Sequence, residues 1–399
     1  MSKRHLTAAE ASARLNISPA SLYAYVSRGL LRSEAGDGPS RARHYLVEDV
    51  DQLRSRKEAR RDPNKVAQKA LHWGSPVLDS AITKIDAGEL YYRGERAREL
   101  ARTKSVEEVA SLIWRGAFDA VSWPAASLTA HDRDALRRVK AVAGRLPASE
   151  QFEILLPLAA ARDETAFDLR PVAVARTGAR IVRLLTESVC GQTARNGIAR
   201  ALARRWAPNT ADAERLISAA LILCADHELN VSAFTARVVA SGGSTPYSVV
   251  AAGLHALSGV RHGGESLRVE AMLHRSTHPR DARTFISTSL RSGERVAGFG
   301  HQLYPDGDPR AQHLLEALRT RRKKLDPIGE AMIDAMFDLA EEHPTIDFAL
   351  VMLTRALDLP QGSPLTLFAL GRSIGFIGHA IEQYETGEMI RPRARYAGR

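Results

Sequence analysis

The sequence predicts a mainly α protein, a small basic module followed by a much larger helical body. Three observations carry this. Aromatics make up only 6% of the 399 residues while Ala, Leu and Arg abound, a bias toward helix formers over sheet formers. Long stretches place apolar residues at helical spacing between Gly and Pro breaks. Charge is uneven, because the formal net charge is +10 and residues 1–72 alone hold fourteen Lys/Arg against eight Asp/Glu. Such asymmetry suggests an appended module for a polyanion. Hydrophobic residues at 44% suffice for a core of ordinary size, and the length favours two or three domains.

The elements follow in chain order. Thr7 caps the first helix, with Glu10 three residues on completing a capping box, and that helix runs to about Leu15. Asn16-Ile17-Ser18 turns the chain. Ser18 then caps and Pro19 opens a second helix, which Gly29 stops. Helix, short turn, helix is the helix-turn-helix layout. Gly36-Asp37-Gly38-Pro39 lies between two potential strands and reads as a hairpin or wing, after which Val47 to Val50 begins another helix. Residues 54–69 are charged, broken by Pro63, and read as a helix tail and linker. From Trp73 the character changes to short turns. Residues 104–225 are then almost wholly helical in pattern, with breaks expected at Gly116, Pro124, Pro147, Pro157 and Pro208. The chain shows no internal repeat and no low-complexity tract.

Several classes are excluded. Cys190 and Cys224 are far apart in sequence and form neither a disulfide framework nor a CxxC pair, which fits a reducing cytoplasm. The N-terminus has no apolar signal-like run, and the longest nearly apolar stretch, 216–225, is too short to span a bilayer. His227-Glu228 begins like a zinc-binding HExxH, but position 231 is Val. Gly298-Phe299-Gly300 begins like a dinucleotide fingerprint, but position 303 is Leu. Asp306 and Asp308 lack the later ligands of a calcium loop, so no metal is expected.

Chemistry concentrates in the last half. SVVAAGLHALSG reads as a helix ending at Gly259, with His262 in the loop beyond and Gly263-Gly264 allowing close approach to backbone. In GFGHQLYPDGDPR Gly298 and Gly300 lead into His301, and Asp308-Pro309 opens a helix with Arg310 in its first turn, a planar fork placed where amides already favour an anion. That segment can present a proton donor and an anion clamp to one ligand. Asp347, before the apolar run FALVML, would on its own be an N-cap. His255, His343 and His379 each read as buried, satisfied histidines.

Two resemblances organise these residues. LTAAEASARLNISPASLYAYVSRGLLRSEAGDGPSRARHYLVEDVDQL resembles the mercury-regulator (MerR) and excisionase type of winged helix-turn-helix, covering about residues 1–55 before a linker at 56–74. It implies DNA contacts by Ser21, Tyr23, Tyr25, Arg28, Arg41 and Arg43, with phosphate neutralisation supplying much of the affinity. The alternative is an interaction module that has lost its DNA. From about residue 75 to the end, DHELN-S-FTARV, G--HGG, GFGH--Y---DPR, IDF and IRPRA-Y-G occur in an order and spacing that closely resemble the citrate synthase family.

The second resemblance implies a helical two-domain fold, with a large subdomain of about 75–220 and 335–399 and a small one of about 221–334. It implies a dimer with the site in the cleft between them. Asp347 would take a proton from the methyl of an acyl-CoA thioester. His262 would stabilise the enolate, and His301 would protonate the keto group of oxaloacetate. Arg310, Arg372 and a partner subunit's Arg391 would hold its carboxylates, with His227 adding a hydrogen bond. No cofactor is implied, because acyl-CoA is a substrate. Arg261, Glu265-Ser266, Thr345 and Ala349-Leu350 depart from the family's usual residues beside His262 and Asp347. The expected function is condensation of acetyl-CoA with oxaloacetate to give citrate and CoA. Alternatives are a 2-methylcitrate synthase using propionyl-CoA, or a DNA-binding regulator whose synthase-like part senses an oxo-acid or CoA ester.

Overall fold

The structure, a computed structural model, describes residues 5–27, 31–35, 43–47, 49, 50, 53, 78–119, 123, 128–191, 197–321, 325–394 and 396–398. Two compact units divide the chain, Met1–Asp79 and Ser80–Arg399.

In the first unit, β1 (His5–Thr7) leads into α1 (Ala8–Leu15), and α2 (Pro19–Ser27) follows. The capping box is formed, with the Thr7 hydroxyl accepting from the Glu10 amide and the Glu10 carboxylate accepting from the Thr7 amide. Asn16 ends α1 in the left-handed region, as the Asn-Ile-Ser turn requires. β2 (Ser33–Ala35) and β3 (Arg43–Leu46) complete an antiparallel sheet in the order β1-β3-β2. Leu15, Leu22, Tyr45 and Val50 lie in its small core. The Gly36–Pro39 turn and the 56–74 linker lie outside the described residues.

The second unit opens with a three-stranded antiparallel meander, β4 (Thr83–Asp86), β5 (Glu89–Tyr92) and β6 (Glu95–Arg96). Helices then fill the unit: α3 (Ala97–Thr103), α4 (Val106–Arg115), α5 (Ala130–Ala143), α6 (Ala148–Ala160), α7 (Pro171–Cys190), α8 (Ile198–Trp206), α9 (Ala213–Leu223), α10 (Val231–Ser241), α11 (Pro246–Leu257), α12 (Gly264–Arg275), α13 (Ala282–Arg291), α14 (Pro309–Arg321), α15 (Pro327–Ala340), α16 (Ile346–Leu357) and α17 (Ser363–Thr386). Gly116 stops α4 in the left-handed region and Pro147 precedes α6, as the sequence suggests. Pro157 does not break α6, contrary to expectation, but lies inside it. It sits near the helix end, where its missing N–H forfeits one bond, and burial of Phe152, Leu155 and Leu156 outweighs that loss.

Helix α17 organises the unit. It packs on α4, α7, α9, α10, α11 and α16, and its apolar window is wholly buried within the protein. It is the only described helix long and apolar enough to cross a membrane. Glycine lets the chain before His227 press against it. A Cβ at Gly375 would stand 2.4 Å from the Ala225 carbonyl oxygen, and the Gly375 amide donates to that same oxygen at 3.0 Å. A Cβ at Gly371 would meet the Leu221 carbonyl oxygen at 2.6 Å. This close approach brings the C-terminal end of α9 onto the face that bears Arg372.

Candidate active site

His227 stands just past the end of α9. Its neighbour Asp226 is wholly buried and fixed on both oxygens, by the Thr83 hydroxyl at 2.6 Å and by Nε2 of His379 at 3.2 Å. Burial acts to raise the Asp226 pKa, and His379, Arg372 and Thr83 together bring it below the ordinary carboxylate value. Nε2 of His227 lies 3.0 Å from the Tyr304 hydroxyl, and its ring meets that of His301 edge-on at 5.4 Å. Burial, then the charges of Arg310 and Arg372, push the His227 pKa well down, so the ring is neutral at pH 7.

His301 follows Gly300, whose positive φ turns the chain at a point where a Cβ would meet the Glu342 carboxylate at 3.0 Å. The Leu303 amide donates to Nδ1 of His301 at 3.2 Å. Nδ1 is therefore the acceptor and the single proton of the neutral ring sits on Nε2. Burial and Arg310 push the His301 pKa down to about 4. His301, Tyr304, Asp308, Glu342 and His343 line a cavity of about 180 Å³.

His262 lies in the turn after α11, with Nε2 2.8 Å from the Ser232 hydroxyl and its ring edge-on to Phe368. Burial, then Arg372, lowers its pKa to about 4. Ser232 also donates to Oδ1 of Asn230 at 2.9 Å. One hydroxyl hydrogen serves one acceptor, so a ligand that needs the His262 proton on Nδ1 must turn Ser232 toward Nε2.

Two arginines are sunk in the same region. Arg310, in the first turn of α14, pairs with Asp308 through Nε at 2.9 Å and Nη2 at 2.8 Å, which leaves Nη1 over. Arg372 has no exposed surface; its Nε donates to the Cys224 carbonyl, while Nη1 and Nη2 have no partner. A buried guanidinium with two unmet nitrogens is costly in isolation and suits an anionic ligand.

Asp347 is in the first turn of α16, whose N-cap is Thr345. The expectation of an N-cap at Asp347 therefore gives way: its Oδ1 is buried with no partner, and burial raises its pKa to about 7 against the opposing charge of Arg310. The charge of Arg310 thus acts on His227, His301 and Asp347 alike.

The remaining sequence candidates divide. Arg391 is exposed in the C-terminal segment beyond α17. His379 is buried and bonded as expected, but His255 is exposed and paired with Glu153 at 3.0 Å. His343 is half-buried against Phe337. In the first unit Tyr23 is exposed, Tyr25 half-buried, Ser21 bonded to Ser18, and Arg43 donates to Ser33. Arg28 and Arg41 lie outside the described residues. Ser232 and Tyr304 carry no signal at helical or strand spacing, so periodicity missed them. No cluster of His, Cys, Asp or Glu suited to a metal occurs among the described residues.

Residues 71–393 match the family model for the citrate synthase C-terminal domain. The chain is 34% identical over 369 residues to a citrate synthase of Haloferax volcanii, covering 82% of this chain and 94% of that one. A 2-methylcitrate synthase of Corynebacterium glutamicum is 33% identical over 195 residues, 48% of this chain and 51% of that one. A solved citrate synthase from Thermotoga maritima superposes with a TM-score of 0.71 at 26% identity, covering 83% of this chain and 96% of that one.

Proposed function

Since the chain belongs to the citrate synthase family and is an enzyme that condenses acetyl-CoA with oxaloacetate, we propose that His262, His301 and Asp347 carry its chemistry. The observation that carries this is Asp347, a buried carboxylate with an unpartnered Oδ1 and a pKa raised to about 7, in the unit that also buries Arg372 with two unmet nitrogens.

Asp347 takes a proton from the methyl of the bound thioester. A pKa near neutral makes it a stronger base than an ordinary carboxylate. The electron pair moves to the thioester oxygen, where the His262 N–H donates. One such donor is worth about 3–4 kcal/mol in comparable oxyanion sites. The enolate carbon attacks the keto carbon of oxaloacetate, whose oxygen takes the proton from Nε2 of His301. Water then cleaves the citryl thioester to give citrate and free CoA. Arg310 and Arg372 hold the carboxylates of oxaloacetate and His227 adds a hydrogen bond. Arg391 completes the clamp from the partner subunit of a homodimer. Exposed apolar side chains on α6 and α7, which pack together, and on α10, among them Leu158, Val172 and Val238, support that pairing. Propionyl-CoA is the second acyl donor to test, since a 2-methylcitrate synthase is among the relatives.

The first unit is proposed to be a winged helix-turn-helix that binds DNA through Ser21, Tyr23, Tyr25, Arg28, Arg41 and Arg43. Its two helices joined at Asn16 and its β1-β3-β2 sheet support this.

The test is thiol release from acetyl-CoA or propionyl-CoA with oxaloacetate. Wild type should release CoA and Asp347→Ala should not. Full activity in the variant removes Asp347 from its role, and no release by wild type with either donor removes the whole assignment.

A further inference from the structure

We propose that Glu265 is a positioning residue that ties the segments bearing His262, His301 and Asp347 to the backbone of a single residue, Gly298. The inference rests on the catalytic roles proposed above. Glu265 lies three residues after His262, Gly298 three before His301, and Thr345 two before Asp347. The buried Glu265 carboxylate accepts the Gly298 N–H at 2.9 Å. The Gly298 carbonyl, on the other side of the residue, accepts the Thr345 amide at 2.8 Å and the Thr345 hydroxyl at 3.2 Å. One residue's backbone therefore joins the start of α12, the His301 loop and the start of α16.

The surroundings leave that backbone little choice. Gly298 has a φ of +83°, and a Cβ on it would stand 2.6 Å from Val269 and 3.1 Å from Phe348. Residues 298–300 pair with 343–345 as a short antiparallel bridge, closed by the Gly300 amide on the His343 carbonyl at 3.0 Å. The adjacent Ser266 gives its hydroxyl hydrogen to the Gly263 carbonyl at 2.9 Å. A buried amide left without an acceptor costs about 1–3 kcal/mol, enough to move or loosen the bridge.

The same carboxylate also acts on Asp347 through space. Asp347 is faced by Arg310, which lowers its proton affinity, and by Glu265 and Asp308, which raise it; Cys224 lies within range as a neutral thiol. Glu265 is in turn faced by Arg268 at 3.2 Å and Arg295 at 3.3 Å, both half-exposed or more. Removing Glu265 leaves those cations unanswered, and both changes favour the ionised form of Asp347.

Two variants separate the hydrogen bond from the charge. Glu265→Gln keeps an acceptor oxygen for Gly298 but no charge. Its amide exchange over residues 296–300 should match wild type, while the acid limb of kcat/KM moves to lower pH by about half a unit or more. Glu265→Ala loses both. Exchange over 296–300 should then accelerate about tenfold or more, as expected for about 1–3 kcal/mol lost at a buried amide. In that variant kcat should fall while KM for oxaloacetate, set by the arginines, changes little. Wild-type exchange in the Ala variant overturns the tether, and an unmoved acid limb in the Gln variant overturns the charge effect. Should the Ala variant fail to fold, Glu265→Met, which fills the space but offers Gly298 no oxygen, takes its place in the exchange measurement, with the same outcomes for and against the tether. The exchange measurement needs no turnover, so inactivity of wild type would overturn the catalytic roles without touching the tether.

Discussion

The Tyr304 hydroxyl and Nε2 of His227 lie 3.0 Å apart in a region closed to solvent, although 77 residues separate them in sequence. Burial raises the Tyr304 pKa and lowers that of His227, so both groups are neutral at pH 7. When the tyrosine donates, the histidine proton sits on Nδ1, available to a ligand. Tyr304→Phe removes that control of the tautomer. Its KM for oxaloacetate should rise about tenfold, the worth of one neutral hydrogen bond, with kcat within about threefold, as expected when binding is weakened uniformly. A change in kcat alone, measured at saturating oxaloacetate, would place Tyr304 in the chemistry instead.

The rate should depend on pH through Asp347. The proposed base must be ionised, and its pKa stands at about 7 because burial disfavours the charge. Below that value kcat/KM should fall about tenfold per unit of pH. His262 and His301, held down at about 4, stay neutral through the whole range and add no limb between pH 5 and 8. A pH profile from 5 to 9 checks this. An acid limb centred near 4 would show that Asp347 ionises like a solvated carboxylate.

Stability carries the same signature with a defined sign. The folded-state pKa of Asp347 lies above its unfolded value, so the folded state holds a proton that the unfolded chain releases. That stabilisation is complete below about pH 4 and is lost as pH rises to about 7, and the slope is about 1.4 kcal/mol per unit. Asp347→Asn removes the titration. The difference in melting temperature, variant minus wild type, should therefore grow from pH 5 to pH 7 and level off above it. Parallel melting curves at all pH values would contradict the buried carboxylate with its unpartnered Oδ1.

Much of this site was legible before any coordinates. Glycines before a histidine, an Asp-Pro helix start and an arginine in a first turn mark the His301 loop, because each has a local backbone reason. The capping box at Thr7 and the stop at Gly116 are equally local. What escaped depends on contacts between distant segments. Pro157 sits inside α6 because burial outweighs one lost bond, and propensity cannot weigh the two. Asp347 reads as an N-cap until Thr345 is seen taking that place while donating to Gly298. His255 reads as buried by its apolar neighbours, yet it faces outward to Glu153, 102 residues earlier in the chain. Ser232 and Tyr304 stand in the spaced motifs DHELN-S-FTARV and GFGH--Y---DPR, but their partners, like the bridging of Glu265 to Gly298, are fixed by packing and leave no trace in spacing.

Arg372 gives the sharpest separation of function from stability. Its guanidinium has no exposed surface, one hydrogen bond from Nε, and two nitrogens with no partner. Each unmet buried donor costs about 1–3 kcal/mol, while the single bond to the Cys224 carbonyl returns about 1 kcal/mol. Asp226, the nearby acid, keeps His379 and Thr83 if the arginine is removed. Arg372→Met, apolar and of similar length, should therefore melt at or above the temperature of the ligand-free wild type. Oxaloacetate at about a hundred times its Kd should stabilise wild type by about 2.7 kcal/mol, and the variant should lose most of that shift. Thermal melts with and without oxaloacetate measure both quantities at once. A variant that melts well below wild type would mean that the arginine holds the fold together. One that keeps the oxaloacetate shift would mean that the anion binds elsewhere.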